Sequence, residues 1–165
     1  MWGHIVEGEA YTEWLRDALS KGTFLAVADG SYDRGLAPTV SGSGWIIVCT
    51  ACQHTLRGSF YEVSQSAGSY RGELLGLVAI HTIAFAIAMY FSVTEISGRI
   101  SCDNTAALNQ ASKHRKRVGV GVKHSDLHRT IRTLKQQVQT SFHYSHVMAH
   151  RDRLRPWRHL TLPEQ

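Results

Sequence analysis

Apolar and small residues run almost unbroken from Tyr70 to Phe91, and the one carboxylate in that run, Glu73, stands near its start. Placed on a helix, Leu74, Leu77, Val78, His81, Phe85 and Ala88 form one apolar stripe, while Leu75, Ala79, Ile83, Ala86 and Ile87 leave the opposite side apolar too. A helix apolar all round is buried on most sides. Roughly 18 consecutive apolar residues is also about the shortest membrane span. His81 and Thr82 in mid-run, frequent small residues, and the lack of a second apolar run or an aromatic anchor pair weigh against that reading. The pattern predicts a central core helix with Glu73 in its first turn, where the helix dipole favours the ionised carboxylate.

Shorter patterns flank it. Glu9 to Leu19 has helical spacing, with Ala10, Trp14 and Ala18 on one side and a stop at Lys21 and Gly22. Thr23 to Ala28 is a buried-strand run that delivers Asp29 at its end, ahead of Gly30 and Ser31. Gly44 to Thr50 and Leu56 to Val63 predict two further strands joined by a short hairpin connection. Beyond the core helix, Glu95 to Cys102 predicts a strand ending at Asp103, with a short helix over Asn104 to Ala111. Ser125 to Thr140 is amphipathic, with Leu127, Ile131, Leu134 and Val138 inward, and Ser141 to Ala149 predicts a last strand that ends at His150. Three sequential strands, then helix, strand, helix, strand, imply an α/β domain with a mixed five-stranded sheet and flanking helices. Residues 1–22 form a lead-in helix and 23–165 the domain proper.

A length of 165 residues with 43% hydrophobic content fits one globular domain with a full core. MWGHIVEGEA contains two glutamates and no continuous apolar stretch, unlike a secretory signal, and three cysteines are an odd count for a disulfide framework. An intracellular protein, in cytoplasm or nucleus, is expected. The net charge of +5 is unevenly spread: Lys113 to Arg158 holds 12 of the 18 Lys and Arg and only Asp126 and Asp152 of the 13 acids, a local +10 against −5 for the remainder. The run Lys113, His114, Arg115, Lys116 and Arg117 within that half suggests phosphate contacts, although a basic pentapeptide alone is as often a solvated loop.

Two strands ending in aspartate, and a packed helix beginning with a glutamate, place three acids at one rim of the sheet. An aspartate before a glycine is more often a turn former. Clustered in a partly buried site, however, carboxylates repel and take up protons unless cations compensate them. A hard divalent ion such as Mg²⁺ meets that need, and a pair of ions about 4 Å apart suits phosphodiester cleavage.

Four segments then carry a resemblance: Asp29-Gly30-Ser31 after a strand, Tyr70-Arg71-Gly72-Glu73-Leu74-Leu75 opening the main helix, Cys102-Asp103-Asn104 after a later strand, and Val147-Met148-Ala149-His150 near the end. In order and spacing they resemble ribonuclease H type 1, and the flanking sequence is similar to the ribonuclease H region of retroelement reverse transcriptases, over roughly Lys21 to Gln165. Integrases and transposases of related pattern place their glutamate after both aspartates. The resemblance implies an RNase H-like fold and an endonuclease that hydrolyses the RNA strand of RNA/DNA hybrids with two Mg²⁺ or Mn²⁺ ions. Asp29, Glu73 and Asp103 would be the metal ligands and His150 a loop histidine assisting proton transfer or product release. Ser31, Arg71 and Asn104 would contact substrate, and Lys113, Arg115, Lys116 and Arg117 would hold the DNA strand. The implied partners are the hybrid and a reverse transcriptase polymerase domain, with no membrane, for a monomeric chain. The family pattern continues with a fourth acid in an Asn-x-x-Ala-Asp context, and no such segment stands before Gln165. Asp152 does not match that context. The domain therefore reads as C-terminally truncated relative to the family, which leaves a second reading: a catalytically silent RNase H-like module that binds nucleic acid or acts as a scaffold.

Remaining motifs carry less. Cys49-x-x-Cys52 with His54 nearby lacks the second pair that a structural zinc site wants, and reads as two ordinary cysteines. His143 and His146 would point to opposite faces of a strand, and His124 and His128 lack the acid motif of a zincin. Trp45 suits core packing better than base stacking.

Overall fold

The computed structural model describes residues 5–7, 12–113, 118–119 and 121–148. In chain order its elements are β1 (Ile5–Glu7), α1 (Glu13–Lys21), β2 (Phe24–Ser31), β3 (Val40–Cys49), β4 (Thr55–Val63), α2 (Ser69–Tyr90), β5 (Glu95–Cys102), α3 (Thr105–Ser112), α4 (Ser125–Gln137) and β6 (Gln139–His146). The five predicted strands form one mixed sheet. β2, β3 and β4 are antiparallel neighbours, and β5 and β6 join in parallel on the other side of β2. The three-residue β1, too short to show a period, adds a sixth strand outside β4, giving the order β1-β4-β3-β2-β5-β6.

α2 is the core helix. It lies on β2 and β3 and is covered by α4 and α1. Leu74, Leu77 and Ile80 are fully buried, as are the small residues Ala79, Ala84 and Ala88. Its most apolar window has a mean hydropathy of 1.8, enough by length and composition to cross a membrane, and 61% of that window is buried inside the protein. Core packing accounts for the all-round apolarity.

Two glycines set how closely α2 approaches the sheet. A Cβ on Gly72 would lie 2.5 Å from the Gly42 carbonyl oxygen and 3.2 Å from Gly30 Cα. One turn further on, a Cβ on Gly76 would lie 2.7 Å from Ser43 Oγ and 2.8 Å from Ala28 Cβ. At Gly72 helix backbone therefore rests directly on strand backbone, and at Gly76 on the short side chains of β2 and β3. Fully buried Ser41 on β3 fixes the start of the helix: its Oγ accepts from the Gly68 N–H at 2.8 Å and donates to the Gly68 carbonyl at 3.2 Å. His81, part of the predicted apolar stripe, is buried with both ring nitrogens satisfied. Nδ1–H donates to the Leu77 carbonyl at 2.7 Å, and Nε2 accepts from the Tyr144 hydroxyl at 2.8 Å. Burial pulls its pKa down to about 4, so the ring is neutral.

The start of α1 and the end of α4 are among the boundaries that differ from the sequence expectation. α1 begins at Glu13 rather than Glu9, and Leu15, Ala18 and Leu19 enter the common core; it ends as expected at Gly22, whose φ of 71° suits a left-handed cap. α4 stops at Gln137 rather than Thr140. Val138 takes an extended conformation, and Gln139 and Thr140 already pair with β5, so ladder hydrogen bonds win over continuation of the amphipathic pattern.

Candidate functional site

Parallel pairing of β2 with β5 puts Ala28 opposite Cys102, so the next residue on each strand is an aspartate, Asp29 and Asp103. Gly30 lies against the Gly72–Glu73 peptide, where a Cβ would come within 2.7 Å of the Gly72 carbonyl carbon. This contact brings Glu73 to the same end of the sheet, and the Gly30 N–H bonds its carboxylate. Glu73, Cys102 and Asp103 offer ligand atoms that all lie within 4.8 Å of one another, the one such group of three among the described residues. Asp29 stands outside that tight group with an exposed side chain. It faces an open depression of about 790 Å³, lined also by Ser31, Gly42, Gly44, Ser59 and Tyr61.

Glu73 is the fifth residue of α2, past the free N–H groups of the first turn, and only 3% exposed. The expected help from the helix dipole is overridden. Burial, followed by the nearby Asp103 carboxylate, raises its pKa to about 7 against hydrogen bonds from Cys102 and Gly30 that lower it. The Cys102 thiol donates to Glu73 Oε2 at 3.1 Å, and burial together with the two neighbouring acids pushes it far above the usual thiol range. Protonated, that sulfur is a hydrogen-bond donor and a poor ligand for a hard cation. The carboxylates of Glu73 and Asp103 are the fitting ligands: oxygen donors with uncompensated charge.

The other expected site residues are placed differently from one another. Ser31 is exposed and lines the depression beside Asp29. Asn104 is the N-cap of α3, its side-chain oxygen accepting from the Ala107 N–H at 3.1 Å, so half of its amide is taken by the helix. Lys113 is exposed at the C-terminus of α3. His150, Arg115, Lys116 and Arg117, and with them Asp152, lie outside the described residues.

Arg71 is corrected. It is 5% exposed, and its guanidinium is engaged inside the protein. Nε and Nη2 donate to the two oxygens of Glu62, Nη1 and Nη2 to those of Asp126, and Nη1 also to His124 Nδ1. Those five bonds match the five N–H donors of the group, leaving none for a phosphate. Arg71 ties β4 to the start of α4 across the N-terminal turn of α2. His124 and Asp126 are thereby assigned to this clamp, and His128 packs on the Tyr70 ring.

Sequence reasoning missed two neighbours of the acids. The Cys102 thiol holds Glu73, for which its position immediately before Asp103 was the available signal. His146, opposite Cys102 in the β5–β6 register, donates from Nε2 to the Asp103 carbonyl at 2.9 Å, and only the register shows that contact.

The architecture can be compared with solved structures. An RNase H1 called LC11, in complex with an RNA/DNA hybrid, superposes with a TM-score of 0.59 at 12% identity, over 78% of this chain and 87% of that one. The fold is that of ribonuclease H. The N-terminal RNase H domain of a Mycobacterium tuberculosis protein matches with a TM-score of 0.54 at 20% identity, covering 79% of this chain and 86% of that chain. A foamy viral protease-reverse transcriptase bound to an RNA/DNA hybrid matches 79% of this chain with a TM-score of 0.59 at 12% identity, through 18% of its own length. No family model and no curated protein matches the sequence. The likeness to the RNase H region of a reverse transcriptase, first seen in four short motifs, thus stands at the level of the fold.

Proposed function

We propose that the chain is a metal-dependent endonuclease that hydrolyses the RNA strand of RNA/DNA hybrids. The observation that carries this reading is a buried glutamate held against a strand-end aspartate with too much negative charge for the site: in isolation Glu73 keeps its proton up to about pH 7. Mg²⁺ or Mn²⁺ would be held by Glu73 and Asp103, with Asp29 supplying a carboxylate from the adjacent strand end. When bound, such ions activate water and stabilise the leaving oxygen of a phosphodiester. The Gly30 N–H and the Cys102 thiol orient Glu73, and the His146 imidazole fixes the backbone at Asp103. Asp29 and Ser31 face an open depression of a size that admits a nucleic-acid backbone. The basic segment from Lys113 to Arg117 is assigned to the DNA strand, and His150 to proton transfer or product release. A covalently linked reverse transcriptase polymerase domain is the natural partner of such a chain.

Incubation with a labelled RNA/DNA hybrid and Mg²⁺ or Mn²⁺ tests the proposal. RNA-strand cleavage by the parent, lost in Asp103→Asn and in Asp29→Asn, is the expected result. Hybrid binding without cleavage at high protein concentration would replace it with the silent binding module.

A further inference from the structure

The turn joining β3 to β4 spans Thr50 to His54 and carries Cys52 and His54, directly after Cys49, the last residue of β3. Cys49 N–H donates to the His54 carbonyl at 2.9 Å and Gln53 N–H to the Cys49 carbonyl at 2.8 Å, closing the turn, with Gln53 in the left-handed region at φ 62°. Inside it the Cys52 N–H points at Cys49 Sγ, 3.3 Å away. His54 Nδ1 lies 3.2 Å from Cys52 Sγ, and Trp14 on α1 packs its ring on His54 with centroids 5.9 Å apart. Cys49 is buried, and Thr23 Oγ1 lies 3.6 Å from its sulfur; Cys52 and His54 are exposed. Among the described residues, Cys49, Cys52 and His54 do not bring three ligand atoms within 4.8 Å of one another. What is assembled instead is two thiols three residues apart, one reachable from solvent and paired with a base, the other screened beneath it.

We propose that Cys49 and Cys52 are a redox-active pair that undergoes thiol–disulfide exchange with glutathione disulfide or another small disulfide. The Cys52 thiol gives its proton to His54 Nδ1 as its sulfur attacks one sulfur of the external disulfide, forming a mixed disulfide and releasing one thiol. Cys49 then attacks Cys52 Sγ, expels the second thiol and closes the Cys49–Cys52 disulfide. Two electrons pass from the protein dithiol to the small disulfide, and each released thiolate takes up one of the two protons. Burial pushes the Cys49 thiol up, but hydrogen bonds from the Cys52 thiol, the Cys52 and Ala51 backbone and Thr23 outweigh it, and the net shift is downward. A resolving thiol needs that tendency toward thiolate. The Cys52 thiol, raised chiefly by its bond with Cys49, relies on the neighbouring imidazole. Cys102 lies fully buried in the acid site and takes no part.

The full chain is equilibrated with mixtures of reduced and oxidised glutathione, alkylated, and mapped by mass spectrometry. The expected result is that Cys49 and Cys52 lose reactivity together and appear as one linked peptide, while Cys102 remains a free thiol. Cys49→Ser should stop at a glutathione adduct on Cys52, and Cys52→Ser, at an exposed position with little risk to folding, should leave Cys49 unmodified. His54→Ala should slow the first exchange at least about tenfold near pH 7 and much less at a pH where Cys52 ionises unaided. Alkylation of both cysteines in the oxidised sample, a disulfide that includes Cys102, or no increase of adduct in Cys49→Ser would overturn the proposal. So would equimolar zinc, found by metal analysis of the purified chain, that shields both thiols.

Discussion

Glu73→Gln separates the two demands on this residue. In the folded chain without metal, burial pushes the carboxyl up to about 7 from its ordinary value of 4.5. A raised carboxyl pKa contributes stability that is present below about pH 4.5 and lost as pH rises through 7, so at pH 8 the ionised side chain costs about 3 kcal/mol relative to its protonated form. Glutamine has the same shape and carries no charge. Its oxygen can accept from the Gly30 N–H and the Cys102 thiol, and its amide can donate to Asp103. Urea unfolding in EDTA, followed by circular dichroism, should show the variant more stable than the parent by up to about 3 kcal/mol at pH 8, a midpoint shift of about 1.5 M for a chain of this size, and little changed near pH 4.5. Mg²⁺ should narrow the gap, because it stabilises the parent by mass action and the variant less. An equal stability difference at both pH values, or a parent more stable at pH 8 than Glu73→Gln without metal, would refute the burial-and-charge account of this site.

Three further outcomes are expected. Gly72→Ala, whose Cβ would press on the Gly42 carbonyl, should lose about 1–3 kcal/mol by thermal or urea unfolding, whereas Gly68→Ala, with open space around it, should stay within about 0.5 kcal/mol of the parent. Arg71→Leu leaves Glu62 and Asp126 without their common cation and should destabilise by about 2–3 kcal/mol, less than a fully buried pair because Asp126 is largely exposed; the salt dependence of hybrid binding should not change, and a flatter salt slope would return Arg71 to the substrate contacts. Neutralising Arg115 and Arg117 together should weaken hybrid binding and reduce the slope of log affinity against log salt by about two in filter-binding titrations, and an unchanged slope would remove the basic segment from the interface.

The long helix was legible because both its faces are apolar, and β5 because its run of residues matches the strand end to end. Asp29, Glu73 and Asp103 were legible through their positions beside Gly30, at the opening of the helix and after Cys102. What the pattern could not supply depends on pairing partners distant in sequence. Arg71 sits in the segment that suggests a substrate contact, yet Glu62 and Asp126, nine residues before it and 55 after, capture its guanidinium. The environment of Glu73 was misread for a related reason: position in a helix is local, whereas desolvation is set by the β2 and β5 strand ends that close over it. The end of α4 was overrun because Leu134 and Val138 keep helical spacing while Thr140 answers to the β5 ladder.

The contact of Gly72 and Gly76 with β2 and β3 has a further consequence. A glutamate carried on a helix is only as well placed as the helix, and here the Gly72 part of the seat is main chain against main chain, while Gly76 fits against the Ser43 hydroxyl and the Ala28 methyl. An arrangement of this kind tolerates extensive change in its surroundings while demanding side chains of zero size at a few points. It offers a physical reason why an architecture can persist between chains that share 12 to 20% of their residues.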